Sequence, residues 1–143
     1  MKEQFETAIL HNKLVLNLWE IAHTMRRISE GKGSQKRILM LLRETGPITQ
    51  SELTEQLGIQ PGSASEVLGK LETAGLILRS PSETDRRTAN ICLTASGENA
   101  AEEACAQREV RHQQMFSSLS DEEKDSLLNL LDKVNADWKQ KFQ

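Results

Sequence analysis

Between Gly46 and Gly75 the chain is cut into short helices by residues whose backbone chemistry leaves little choice. Thr49 and Glu52 have the spacing of a capping box, in which the hydroxyl accepts a backbone amide and the glutamate reaches back to the cap. Ile48 and Leu53 stand where a hydrophobic staple would close over it. Gly58 comes soon enough to end that helix in the left-handed conformation that glycine adopts without strain. Pro61, which has no N–H to lose, fits the first turn of the next helix. There Ala64, Val67, Leu68 and Leu71 line one apolar face until Gly75. Two short helices joined by a tight glycine turn predict a helix-turn-helix.

The segment beyond Gly75 narrows the architecture. Leu76 to Arg79 reads as a strand, Pro81 to Asp85 as a polar turn, and Thr88 to Leu93 as a returning strand. A β-hairpin directly after a helix-turn-helix is the arrangement of a winged helix. Upstream, Leu14, Leu18, Ile21, Met25 and Ile28 recur on one helical face, with Phe5, Ile9, Leu16 and Trp19 widening it. Gly31, Lys32 and Gly33 interrupt that helix, and Ser34 is placed to cap a second one, carrying Ile38, Leu39, Leu41 and Leu42 and stopped by Gly46 and Pro47. Downstream, an alanine-rich helix (Ala100, Ala101, Ala104, Ala106) is expected from Thr94 to about Ser118. A second capping box, Ser120 to Glu123, opens a last helix with the stripe Leu127, Leu131, Val134 and Trp138 and with Leu128, Leu130 and Phe142 beside it.

The expected fold is therefore mainly α with a small β-hairpin, a winged helix-turn-helix core flanked by terminal dimerisation helices. The expected divisions are 1–33 for the N-terminal helix, 34–94 for the winged unit and 95–143 for the C-terminal helices. A chain of 143 residues is one domain's worth. The terminal helices carry more apolar surface than one helix-turn-helix can cover. They either pack on one another within a monomer or share a core across an intertwined two-fold dimer. The dimer is preferred, with Leu14, Leu18, Leu127, Leu131, Val134 and Trp138 at its interface.

Across from its apolar stripe, the second helix of the helix-turn-helix presents Gly62, Ser65, Glu66 and Gly69, with Gln60 before it and Ser63 and Lys70 at the edges. In an arbitrary chain this is a solvated helix face. As the second helix of a helix-turn-helix it is a candidate for a DNA major groove about 12 Å wide, where small residues permit approach and polar ones bond to base edges or phosphates. Glu66 would be repelled by phosphates unless it accepts from a cytosine amino group or holds Lys70, four residues on. The second role is favoured. At the hairpin tip Asp85, Arg86 and Arg87 place two guanidinium groups within reach of phosphates or a minor groove, against the alternative of a solvated charged turn.

Asp85-x-Arg87, five residues, then Leu93-Thr94 resembles the wing signature of the MarR family of winged-helix transcriptional regulators. The stretch from Gln50-Ser51-Glu52-Leu53 through Leu57-Gly58-Ile59 to Leu71-Glu72, Gly75-Leu76-Ile77 and Arg79 is similar too. The resemblance implies a homodimer of six-helix chains that binds double-stranded DNA, recognition helices in successive major grooves and Arg87 in a minor groove with Asp85 orienting it. It also implies repression of transcription and release by a small aromatic or anionic effector, for which Trp19, His23 and Arg26 border a candidate pocket; otherwise they are ordinary core or surface residues. Many members carry a polar donor where this chain has Glu66, so a relative's base preferences do not transfer.

Charge sharpens these expectations. The net charge of −3 resides in residues 98–143, with six cations against ten acids, whereas residues 34–97 balance at seven each. Phosphate binding should thus be modest and salt-sensitive, and a winged-helix module that binds protein without DNA is the alternative reading. Aromatic content of 3% with no tyrosine disfavours base stacking. No apolar run is long enough for a membrane span and the N-terminus does not read as a signal peptide, so the expected location is the cytoplasm. Cys92 and Cys105 are then reduced packing residues, and scattered His11, His23 and His112 give no metal site. No cofactor is expected, and no phosphate loop, nucleophile elbow or zinc-protease motif suggests an enzyme.

Overall fold

The computed structural model of the chain describes residues 1–31, 33–81 and 89–143. The described elements run α1 (Lys2–Ile28), α2 (Gln35–Thr45), β1 (Ile48–Thr49), α3 (Gln50–Leu57), α4 (Pro61–Thr73), β2 (Ile77–Pro81), β3 (Ala89–Leu93), α5 (Ala95–Met115) and α6 (Asp121–Lys141). The caps read from sequence are formed. Ser34 accepts from the Arg37 N–H, and Thr49 with Glu52 and Ser120 with Glu123 make reciprocal capping boxes. Each such cap contributes about 1 kcal/mol to its helix. Gly58 ends α3 at φ +66°, and Gly46 and Gly75 also have positive φ.

Backbone and side-chain donation from Ser120 holds the Glu123 carboxyl below the usual carboxylate range, the backbone bond being the larger cause. Its contribution to capping α6 is present above the unfolded carboxylate's pKa and is lost as pH falls through the lowered folded value.

The chain forms two compact units, Met1–Glu102 and Glu103–Gln143. In the first, Ile38, Leu39 and Leu42 of α2, Leu53 and Leu57 of α3, and Ala64, Leu68 and Leu71 of α4 enclose a core with Ile48, Ile77, Ile91 and Ala101. Burying each of the larger aliphatic side chains stabilises the fold by about 2 kcal/mol. Met40 is buried as well, although the α2 stripe pointed to Leu41, which is only half-buried.

The sheet differs from the hairpin expected. Ile48 and Thr49, read as part of a turn, form a third strand antiparallel to β3, giving the order β1-β3-β2. Two residues between a proline and a helix cap are too few to show an alternating pattern. In the β2–β3 pair Ile77 faces Leu93 and Arg79 faces Ile91, which itself faces Ile48. Directly opposed residues share a sheet face, so Arg79 leaves the sheet on the side of buried Ile77 and Ile91. Leu78 and Cys92 take the other face, and Leu78 is exposed.

At the end of β3, Thr94 fastens the next helix to the sheet. Its hydroxyl donates to the Gly75 carbonyl at 2.6 Å and accepts from the Gly97 N–H at 3.0 Å, while its own N–H donates to the Leu76 carbonyl. Gly97 lies against that same carbonyl so closely that a Cβ would overlap the Leu76 oxygen. The α5 helix ends at Met115, slightly before the expected Ser118, in a turn closed by Leu119 donating to the Phe116 carbonyl.

In the second unit, Phe116, Lys124, Leu127, Leu128 and Leu131 line a groove of about 210 Å³, and Trp138 meets Phe142 edge to face at 6.4 Å. Among the described residues no helix is long and apolar enough to cross a membrane. Gly97→Ala is expected to destabilise the protein by about 2 kcal/mol, because the obstructing atom is backbone and yields only if the strand start moves. Urea unfolding of the purified variant measures this, and an unchanged midpoint would contradict the tight junction.

Candidate nucleic-acid interface

The α4 helix is fixed by its buried side, which decides what its other side offers. With Ala64, Leu68 and Leu71 fully buried, the outer face carries exposed Gln60, Gly62, Ser63, Ser65, Glu66 and Lys70, and half-buried Gly69. Nothing lies within 4 Å of a Cβ placed on Gly62 or Gly69, and neither has positive φ. Their missing side chains therefore serve neither packing nor backbone conformation. Lys70 Nζ lies 3.7 Å from Glu66 Oε1 one helical turn away, the role favoured for that glutamate. Both side chains are well exposed, so the pair stabilises by only about 0.3–0.5 kcal/mol. Its effect is positional, leaving the face with a leashed cation.

Beside this face lies an arrangement not anticipated from sequence. The Arg79 guanidinium, sent inward by its register, places Nε 3.0 Å from Glu72 Oε2 of α4. That approach is off the N–H axis, so buried Nε gains charge attraction without an aligned hydrogen bond. Its terminal nitrogens donate to the Gln50 Oε1 and to the Ser65 carbonyl, each at 3.4 Å. Gln50, the first residue of α3, donates in turn from Nε2 to Ser65 Oγ at 2.7 Å. One arginine thus ties β2 to the start of α3 and to the outer face of α4. The signal for it was the period-two alternation placing Arg79 on the same face as Ile77.

Asp85, Arg86 and Arg87 lie outside the described residues, as do the rest of the expected turn and Thr88. Trp19, His23 and Arg26 share one side of α1 and are all exposed. The α1 helix buries none of its residues, and Leu14 and Leu18 stand open. In the second unit Leu131, Val134 and Trp138 are also exposed, while Leu127 is half-buried. Cys92 and Cys105 are half-buried free thiols. Among the described residues no group of histidines, cysteines and carboxylates could hold a metal ion.

This arrangement has relatives. The sequence model of the MarR family matches residues 33–89, the span from the α2 cap to the start of β3. The HTH-type transcriptional regulator YwhA of Bacillus subtilis is 33% identical over 97 residues, covering 68% of this chain and 70% of YwhA. The chain belongs to the MarR family. Members of the MarR family are transcriptional regulators and not enzymes. Wild-type MarR from E. coli, in its apo crystal structure, is 29% identical and superposes with a TM-score of 0.64 over 70% of this chain and 74% of its own. A mutant of MarR complexed with operator DNA shares the fold at 23% identity, with a TM-score of 0.69 over 84% of this chain and 94% of its own.

Because Gly62 and Gly69 occupy helical positions with open space around them, Gly62→Ala and Gly69→Ala are each expected to raise stability by about 0.5–1 kcal/mol. Thermal unfolding reads this, and destabilisation by either would mean the space is filled.

Proposed function

We propose that this MarR-family chain is a transcriptional repressor of the cytoplasm that binds a pseudo-palindromic duplex site as a homodimer. The observation that carries this reading is the outer face of α4, small and polar, on a helix whose opposite side is locked into the core. In such a helix Gly62 and Gly69 let the backbone approach the groove floor, and Gln60, Ser63, Ser65 and Lys70 supply bonds to bases and phosphates. The operator complex of the E. coli relative supports the same use of the fold. Asp85, Arg86 and Arg87 would form the wing contact, Arg87 entering a minor groove.

Apolar surface supports the homodimer. Phe5, Leu14, Leu18, Trp19 and Ile21 of α1 and Leu128, Leu131, Val134 and Trp138 of α6 stand uncovered in the single chain. That exceeds what isolated chains usually leave in water. A two-fold dimer covers these helices and sets two α4 helices about one DNA turn apart. A small aromatic or anionic effector near Trp19, His23 and Arg26 would release DNA by favouring a spacing that cannot bridge successive grooves.

Selection of duplexes from a random pool at moderate salt is expected to enrich a palindrome with half-sites one turn apart. Arg87→Ala should lower affinity for it roughly tenfold, the equivalent of about 1.4 kcal/mol, in a protein that remains folded and dimeric. No enrichment by folded dimer would instead favour a protein-binding winged-helix module, the reading to which the balanced charge of residues 34–97 lends itself. Leu131→Asp is expected to shift sedimentation from dimer toward monomer, and unaltered sedimentation would remove α6 from the interface.

A further inference from the structure

Hydrogen-bond polarity around Arg79 fixes the direction of one side chain on the outer face of α4. A guanidinium has donors only, so the end of the Gln50 amide that meets it is the carbonyl oxygen, 3.4 Å away. The amide nitrogen is thereby turned toward Ser65, and since it too can only donate, the Ser65 oxygen accepts that bond at 2.7 Å. The hydroxyl proton of Ser65 then has to point elsewhere. The other serine and threonine donors of the helices return their protons to the backbone carbonyl of a neighbouring turn, as Thr73 does to Gly69 and Thr54 to Ser51. Ser65 makes no such bond, and its side chain is exposed. An anchored hydroxyl with a spare proton is a directed donor.

We propose that Gln50 and Arg79 are positioning residues that hold Ser65 as a hydrogen-bond donor, and that Ser65 thereby selects a base-edge acceptor in the major groove. This rests on the DNA-binding reading of α4. The acceptors of matching chemistry are purine N7, guanine O6 and thymine O4; the amino groups of adenine and cytosine are excluded, because Ser65's accepting side is already engaged by Gln50. Freed from Gln50, a serine hydroxyl serves either a donor or an acceptor, and the discrimination disappears. Glu72 completes the arrangement by holding the guanidinium from the opposite side at 3.0 Å.

The test compares the sequence preferences of the full-length protein and three variants, Gln50→Leu, Ser65→Ala and the double variant, by duplex selection and titration at fixed salt. Gln50→Leu is close in size and removes both amide bonds, and thermal unfolding checks that it folds. The expected result is a five- to twentyfold loss on the selected duplex with relaxed preference at one base pair of each half-site. Ser65→Ala should relax the same base pair, and the double variant should lose no more than either alone. Arg79→Lys, which keeps the charge but not the fork, is expected to relax that position less than Arg79→Met.

Equal weakening on all duplexes by Gln50→Leu would assign the pair to phosphate contact and overturn the proposal, as would additive losses in the double variant. If the unaltered protein enriches a palindrome and Gln50→Leu changes nothing, the positioning role alone falls. If the unaltered protein enriches no duplex, the DNA-binding reading falls and takes the donor assignment with it.

Discussion

The fully buried side of α4 is the constraint on which the remaining features of the first unit depend. Ala64, Leu68 and Leu71 occupy three successive turns of one helical face, and the structure closes around them with α2, α3 and the sheet. Removing any one large side chain of this set would open a cavity at a cost of about 2–5 kcal/mol, a large fraction of a small domain's stability. The helix can therefore neither rotate nor slide without losing the core. Its outer face is fixed as a consequence, and the polar groups on it can be presented in one geometry without a large interface of their own.

Arg79 extends that constraint from apolar packing to polar geometry. Burying part of a guanidinium beside Ile77 and Ile91 is unfavourable unless its donors are used, and the surroundings use them on two helices at once: Glu72 and the Ser65 carbonyl of α4, and Gln50 of α3. Each of these contacts is individually modest, two of them being long at 3.4 Å. Their value lies in convergence, because a planar fork that joins its own strand to both helices restricts all of them together. Thr94 and Gly97 tighten the other end of β2 and β3, where helix backbone meets strand backbone and no side chain intervenes.

The sequence made the local features legible and left the long-range ones dark. Ser34, Thr49, Ser120 and Gly58 announce helix ends because capping depends on residues within four positions of one another. The stripe of α4 was readable for the same reason. The β1 strand was not, since two residues carry no periodicity, and its pairing with β3 joins Ile48 to Ile91 across much of the winged unit. Likewise Gln50, Ser65 and Arg79 are separated by 15 and 14 residues, and no spacing rule connects them. Only the sheet register brings them together. The alternation that puts Arg79 beside Ile77 was present in the sequence, but its partners depend on where α3 and α4 dock.

Charge explains why such short-range geometry matters in this chain. The winged unit is balanced in formal charge, and one cation of the α4 face, Lys70, is shared with Glu66. Phosphate attraction scales with the number of cations brought to the backbone and weakens steeply with salt, so a duplex approaching this face gains little from long-range electrostatics. Under the proposed function, discrimination then falls to groups that act over a single hydrogen bond, where an ill-directed donor is no better than water. A hydroxyl fixed by an amide that is itself fixed by a guanidinium suffers little loss of rotational freedom on binding. In a weakly charged interface that preorganisation counts for more than in a strongly basic one, because less nonspecific attraction competes with it.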